Sequence, residues 1–428
     1  MSLYTPDVAA ALAGPNWLRA RRSSAAERFL ATAMPSPDEE VWRYSRIAEL
    51  DLDAFRPATS LDQPDSGAEE AAGGERAAIA GSAATVHVTD GRVTLADVGA
   101  SLRDMGVWIG RLAGAPDGEG ALGSVASEPA DALALLNDAF CAEPILVRVP
   151  RGVTVDGPIV VVHHGASAGT ATFPRLVVQA AENSEATVVE QFTSGGGEML
   201  TVPVTELDVA PAARLRYVSV QELGWQTWQV ASQVSRVAQD ATFLAASAAL
   251  GGDYARLRTD CRLEGAGATG DLLSAYFGEG DQTLDFRTFQ DHRAPDTTST
   301  LLFKGAVGGR SHSVYTGLIR VRKEARGTNA FQTNRNIKLS DEAWAESVPN
   351  LEIETNDVRC SHASAVGPID EEQRFYLESR GVPPQVAERL VVAGFFDEVL
   401  RRIPVPGLLD PLRARIVAKL DRQGASDG

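Results

Sequence analysis

Between residues 184 and 270 one local pattern returns at nearly constant intervals. A small residue, an alanine and then an apolar residue recur at Ser184-Glu185-Ala186-Thr187-Val188, Ala212-Ala213-Arg214-Leu215, Asp240-Ala241-Thr242-Phe243 and Gly267-Ala268-Thr269. The alanines at 186, 213, 241 and 268 lie 27, 28 and 27 residues apart. Equal spacing of a small turn residue is what stacked β-coils require, because each coil must turn where its neighbours turn. The surrounding texture agrees. From about 144 to 360, short β-type runs such as Ile145–Val149, Ile159–His163, Ala186–Phe192, Arg214–Val220, Thr283–Phe289 and Val314–Val321 alternate with Gly, Ala, Asn and Asp turns. The spacing predicts a β-helix or solenoid-like stack over 144–366.

The flanks read differently. Residues 1–56 carry helical spacing through Leu18, Ala25, Phe29 and Leu30, and Ser36-Pro37-Asp38-Glu39 resembles a helix start with Ser36 as cap. Residues 57–80, rich in Ala, Gly, Glu, Ser and Pro, read as a flexible linker. A mixed segment over 81–143 holds two short strands joined at Asp90-Gly91 and a helix over 128–140. From 367 to 428 the pattern is helical, with helices expected over Asp370–Ser379, 385–403 and 408–422. The chain is therefore expected to be mainly β with α ends.

Charge and cysteine usage narrow the function. The 428 residues carry a net charge of −17, a poor match to nucleic acid or to an anionic membrane surface. Three scattered cysteines, Cys141, Cys261 and Cys360, make no disulfide framework. The N-terminal stretch lacks a basic region and a long apolar run, so no signal peptide is expected, and the expected location is the cytoplasm.

Most short motifs have plain readings. Gly265-Ala266-Gly267-Ala268-Thr269-Gly270 satisfies a dinucleotide-loop pattern, but no helix follows and it falls on the repeat, where a turn is expected. Asp291-His292, Ser311-His312 and Ser361-His362 are strand neighbours that point to opposite faces. Cys360-Ser361-His362 is different. Positions i and i+2 of a strand share a face, so a thiol and an imidazole converge, and both suit iron or zinc. Metal sites of this kind usually take about four ligands. Two from this chain point to a site completed by a second chain.

The residues around this element carry a resemblance. Leu351-Glu352-Ile353, Asp357-Val358-Arg359-Cys360-Ser361-His362, Val366-Gly367, Asp370-Glu371-Glu372, Phe375-Tyr376-Leu377 and Ser379-Arg380-Gly381 resemble the C-terminal signature of the SufB/SufD family. Asp291-His292, Lys304-Gly305, Gly317, Ile319 and the alternating amides Gln332, Asn334 and Asn336 also match. Glu40-Val41-Trp42-Arg43-Tyr44-Ser45 is similar to the N-terminal element of the SufD branch. The resemblance implies a right-handed parallel β-helix between helical ends, and a scaffold role in iron–sulfur cluster assembly without catalysis of its own. It implies pairing with a SufB-type paralogue near the end of the β-helix, and a SufC-type ATPase on the C-terminal helices. A homodimer is an option for the isolated chain.

On this basis His362, with Cys360, is expected to handle a transient iron–sulfur cluster or iron at the subunit interface, with nothing tightly bound by this chain alone. Phe375, Tyr376, Arg380, Leu390, Phe395 and Phe396 are expected to bind a partner. Two alternatives stay open: a SufB-like subunit accepting sulfur at Cys261, and a β-helix polysaccharide lyase or hydrolase using paired acids.

Overall fold

The computed structural model describes residues 3–58 and 79–426; most of the expected linker, 59–78, lies outside the described residues. Successive strands add alternately to two parallel sheets. The first runs from Ile145–Val149 through Arg175–Ala180, Val204–Val209, Thr227–Val237, Tyr254–Leu263, Thr283–His292 and His312–Val321 to Trp344–Ile353. The second runs from Thr154–Gly165 through Glu185–Ser194, Arg214–Glu222, Thr242–Ala249, Thr269–Gly278, Thr298–Val307 and Thr328–Lys338 to Val358–Gly367. The chain is a β-helix with helices at both ends. Its lumen is filled by stacked aliphatic and aromatic side chains, among them Val147, Val178, Leu207, Leu215, Phe243, Leu272 and Phe286. Most strands are buried on both faces, which explains their long apolar runs.

One corner of the coil is fixed by a ladder of left-handed residues. Asn183, Ala212, Asp240, Gly267 and Asp296 all have φ between 54° and 70°. Each N–H donates to a carbonyl in the next coil, at Pro211, Gln239, Ala266, Pro295 and Arg326 respectively. The glycine run at 265–270 is one of these turns. The expected repeat needs one correction. Ala213 stacks on Ser184, whose carbonyl accepts from Arg214 N–H, while Ala186 pairs with Leu215. The stacked positions are 184, 213, 241, 268, 297 and 328, so the coil length varies from 27 to 31 residues. An abundance of alanine made position 186 look in phase.

Helices cover part of the outer face of each sheet. Helix Asn16–Leu30 and helix Ala132–Phe140 pack with Tyr4, Phe173, Leu200, Trp228 and Tyr254 on the first sheet. The expected helix start at Ser36 yields only a single 3-10 turn, Glu40–Trp42. The physical reason is competition for carbonyls: Arg256 takes the Val41 carbonyl and Arg287 that of Arg43. Trp42 is buried beneath the Arg256 guanidinium, 3.9 Å from its ring centroid. This strap runs on to Tyr44, whose ring lies 5.9 Å from that of Trp344 in the last coil.

Helices Pro384–Leu400 and Pro406–Ser426 cover the second sheet through Val392, Val399, Leu400, Leu412, Ile416 and Leu420. Phe396, expected on a partner surface, is fully buried and stacks on Phe277 with ring centroids 6.2 Å apart. It faces the sheet because it continues the inward stripe of Val392 and Val399. Among the described residues no helix is long and apolar enough to cross a membrane.

Two measurements follow. Ala212 is exposed, so Ala212→Gly relieves its left-handed backbone without losing packing and stabilises the chain by roughly 0.5–1 kcal/mol in denaturant titration. His292 is buried against Thr297 and Ser299, and burial lowers its pKa to about 4. The folded state keeps it neutral, while the unfolded chain takes up a proton below about pH 6.5. Its contribution is complete above that pH and is lost as pH falls towards 4, roughly 3 kcal/mol in all. His292→Gln should flatten the acid side of the stability profile over this window.

Candidate functional site at the open end of the β-helix

The two ends of the stack are finished differently. At the first, Trp108–Arg111 pairs antiparallel with Ile145–Val149, and Arg92–Val98 pairs antiparallel with Ala84–Thr89. These antiparallel strands break the coil path and are the outermost strands of their sheets at this end. At the other end, Trp344–Ile353 and Val358–Gly367 are the outermost strands of their sheets. No side chain of either strand is buried. Their free edges expose unpaired backbone donors and acceptors, which soluble proteins normally cover or disrupt. Phe331, Trp344, Ile353 and Val366 are exposed around this end.

The sequence element Cys360-Ser361-His362 lies on the last of these strands. Register places Cys360 beside Ala330, His362 beside Gln332 and Ser364 beside Asn334. Ser364 Oγ donates to Ser347 Oγ at 2.7 Å, bridging the two sheets across the mouth of the lumen. Residues 360, 362 and 364 therefore share the lumen side. Within that face the two candidate ligands differ. Cys360 is half-buried against Ile319, Val321, Ala330 and Leu351, and burial pushes its thiol up. His362 is exposed. Among the described residues no group of three or more His, Cys, Asp or Glu side chains is arranged to hold a metal.

The other cysteines lie elsewhere. Cys141 closes helix Ala132–Phe140. Cys261 is in the lumen several coils back, fully buried, and burial pushes its thiol up to about 12. Sulfur acceptance needs an accessible thiolate, so Cys261 lacks the environment for that alternative. A cleft of about 290 Å³ on the outer face of the first sheet holds Asp260 and Asp291 among arginines. Asp291 is paired with Arg293 and Arg322, and Asp260 with Arg258. The Asp291–Arg322 pair joins neighbouring strands and the other two run along a strand, so each acid of this cleft is held by an arginine rather than free for the lyase or hydrolase reading.

Beneath the mouth lies a residue that sequence reasoning noticed but gave no role. Gln332, Asn334 and Asn336 alternate along Thr328–Lys338 and face the lumen. Asn334 Nδ2 donates to Tyr276 Oη at 2.9 Å, Tyr276 Oη to Asn336 Oδ1 at 2.7 Å, and Asn336 Nδ2 to Asn334 Oδ1 at 2.9 Å. The triangle is closed. Gln332 is only 2% exposed, and neither of its amide atoms has a hydrogen-bond partner. The period-2 run of amides in a strand of an apolar stack was the available clue.

The expected partner-binding residues divide into two groups. Helix Glu371–Ser379 buries no side chain; Phe375 is 71% and Tyr376 57% exposed, with the Arg380 guanidinium over the Tyr376 ring at 5.3 Å. Leu390 is 50% exposed and lies one helical turn from exposed Val386. Phe395 is half-buried, with the Lys304 ammonium 4.4 Å from its ring centroid and bonded to its carbonyl. Phe396 belongs to the core. Alkylation of the native chain should label Cys360 alone, slowly at neutral pH and faster as pH rises, because Cys141 and Cys261 are buried. Mass mapping of the label checks this.

Comparison with known proteins bears on the same region. Residues 162–395 match the family described as SUF system FeS cluster assembly, SufBD core domain. An iron–sulfur cluster assembly SufBD family protein of Mycobacterium tuberculosis is 39% identical over 284 residues, 64% of this chain and 71% of that protein. Iron–sulfur cluster assembly protein SufD of Escherichia coli is 31% identical over 280 residues, 64% of this chain and 66% of that protein. SufD of Bacillus subtilis is 29% identical over 295 residues, 68% of this chain and 66% of that protein. With its stacked coils and the matched span of more than half its length, the chain belongs to the SufBD family.

Proposed function

We propose that this chain is a scaffold subunit of iron–sulfur cluster assembly, working in the cytoplasm. The observation that carries the reading is the uncapped end of the β-helix, where two free sheet edges meet the Cys360–His362 face. A paralogous β-helix of the SufB type would satisfy those edges and cover the apolar rim of Phe331, Trp344, Ile353 and Val366. In the isolated chain a second copy meets the same need through a two-fold contact.

His362 then stands at the subunit junction. Its neutral imidazole offers a lone pair to iron or a nascent cluster. Cys360 supplies a second ligand once its thiol is deprotonated, which metal binding promotes. The remaining ligands come from the partner, since among the described residues no group of three or more His, Cys, Asp or Glu side chains is arranged to hold a metal. Iron and cluster are cargo here, not resident cofactors, and the chain catalyses no reaction by itself.

A SufC-type ATPase docks on the exposed part of the C-terminal helices, with Phe375, Tyr376, Arg380 and Leu390 as contacts. Phe395 lies at the margin of this surface. ATP hydrolysis in that partner would move the helices relative to the stack and alter the contact at its end.

The test is His362→Ala in the complex reconstituted with SufB-type and SufC-type subunits. Cluster formed per complex, read from absorbance and from iron and sulfide analysis, should fall at least tenfold while the complex elutes unchanged. Unaltered cluster formation would overturn the role of His362.

A further inference from the structure

Gln332 is a buried carboxamide with its full hydrogen-bonding capacity unused. Such a group normally costs stability that an apolar side chain of similar size avoids. Its neighbours show that the strand can satisfy amides. Asn334 and Asn336 close a triangle with Tyr276. Across the lumen its Nε2 lies beside Gly317 and near Tyr315 Oη, without a hydrogen bond. The open coil offers a further approach. There, register sets His362 directly beside Gln332 on the same face.

Adjacent parallel strands lie about 4.8 Å apart. Rotation of the two side chains alone therefore brings the carboxamide within hydrogen-bond reach of an imidazole nitrogen. A histidine that ligates a metal through one nitrogen carries an N–H on the other, and that N–H is almost always given to an oxygen acceptor. A carboxamide oxygen is such an acceptor. A carboxylate in its place would favour the imidazolium, whose two N–H groups leave no lone pair for a metal.

We propose that Gln332 is a positioning residue for His362: its Oε1 accepts one imidazole N–H, holding the ring as a single neutral tautomer with the other nitrogen aimed out of the mouth. The inference deepens the proposed ligand role of His362 and rests on it.

The experiment uses the 15N-labelled full chain at about pH 8, without iron or partner. Long-range nitrogen–proton correlation reads the tautomer of each of the six histidines, and His362→Ala assigns the signals of His362. In the unsubstituted chain one tautomer should dominate at His362. In Gln332→Leu the two tautomers should become comparable, while the melting temperature stays equal or rises because an unmatched amide has gone. In the reconstituted complex, Gln332→Leu should weaken ferrous iron binding about 10- to 100-fold.

The same tautomer ratio in the unsubstituted chain and Gln332→Leu would overturn the proposal. So would a melting temperature that falls in Gln332→Leu, which would mark the amide as structural. Because the tautomer is read without iron, its failure leaves the ligand reading of His362 standing. Conversely, cluster assembly that survives His362→Ala removes the ligand reading and leaves the measured tautomer intact.

Discussion

Backbone hydrogen bonding between coils governs this molecule. Each strand in the middle of the stack has its N–H and C=O groups matched by the strand one coil before and the strand one coil after. Such an arrangement has no natural end, because every added coil presents the same unmet groups as the last. At one end the run of parallel coils is broken by strands that turn antiparallel, Trp108–Arg111 and Arg92–Val98. At the other, Trp344–Ile353 and Val358–Gly367 keep the parallel coil geometry up to the edge. The Cys360–His362 face lies at that second edge.

The sides of the stack, in contrast, are closed firmly. Burial of Phe396, Val392 and Leu412 fixes the C-terminal helices on the second sheet. Lys419 reinforces them from within, its ammonium held by Glu279 at 2.7 Å and the Leu250 carbonyl at 2.8 Å. Helix Glu371–Ser379, between the open edge and this anchored pair, buries nothing. One short region thus joins a fixed body to a free surface, a useful arrangement if a motion at the helices is to reach the end of the stack.

Much of this was legible in the sequence, for reasons that differ by residue. The stack was readable because every coil repeats one turn, and the turn demands a left-handed residue. Phase was harder. Ala186 mimicked the repeat, while the true equivalent, Ser184, differs in residue type. The shared face of Cys360 and His362 followed from strand alternation alone. Their unlike burial did not, since it depends on which coil lies next. Phe395 and Phe396 adjoin on a helix, and only the packed sheet shows which one turns inward. The part played by Gln332 was hidden because an alternating amide looks the same whether its partners are present or missing. The one-turn fate of Glu40–Trp42 was hidden too. The arginines that take its carbonyls come from far along the chain.

Those distant arginines bear on the order in which the molecule is made. Val41 is held by Arg256 across 215 residues, Arg43 by Arg287 across 244, and Arg46 by Asp253 across 207. During synthesis the strap emerges before the coils, yet it has no place to dock until most of them exist. Closing so long a loop adds only a modest entropic cost, since that cost grows logarithmically with length. Its effect on speed is larger, because contacts this remote form late. Trp42 must therefore wait in the growing chain as an unsheltered aromatic. Its burial beneath Arg256 marks a nearly completed β-helix, so a segment made before the coils is among the last to settle.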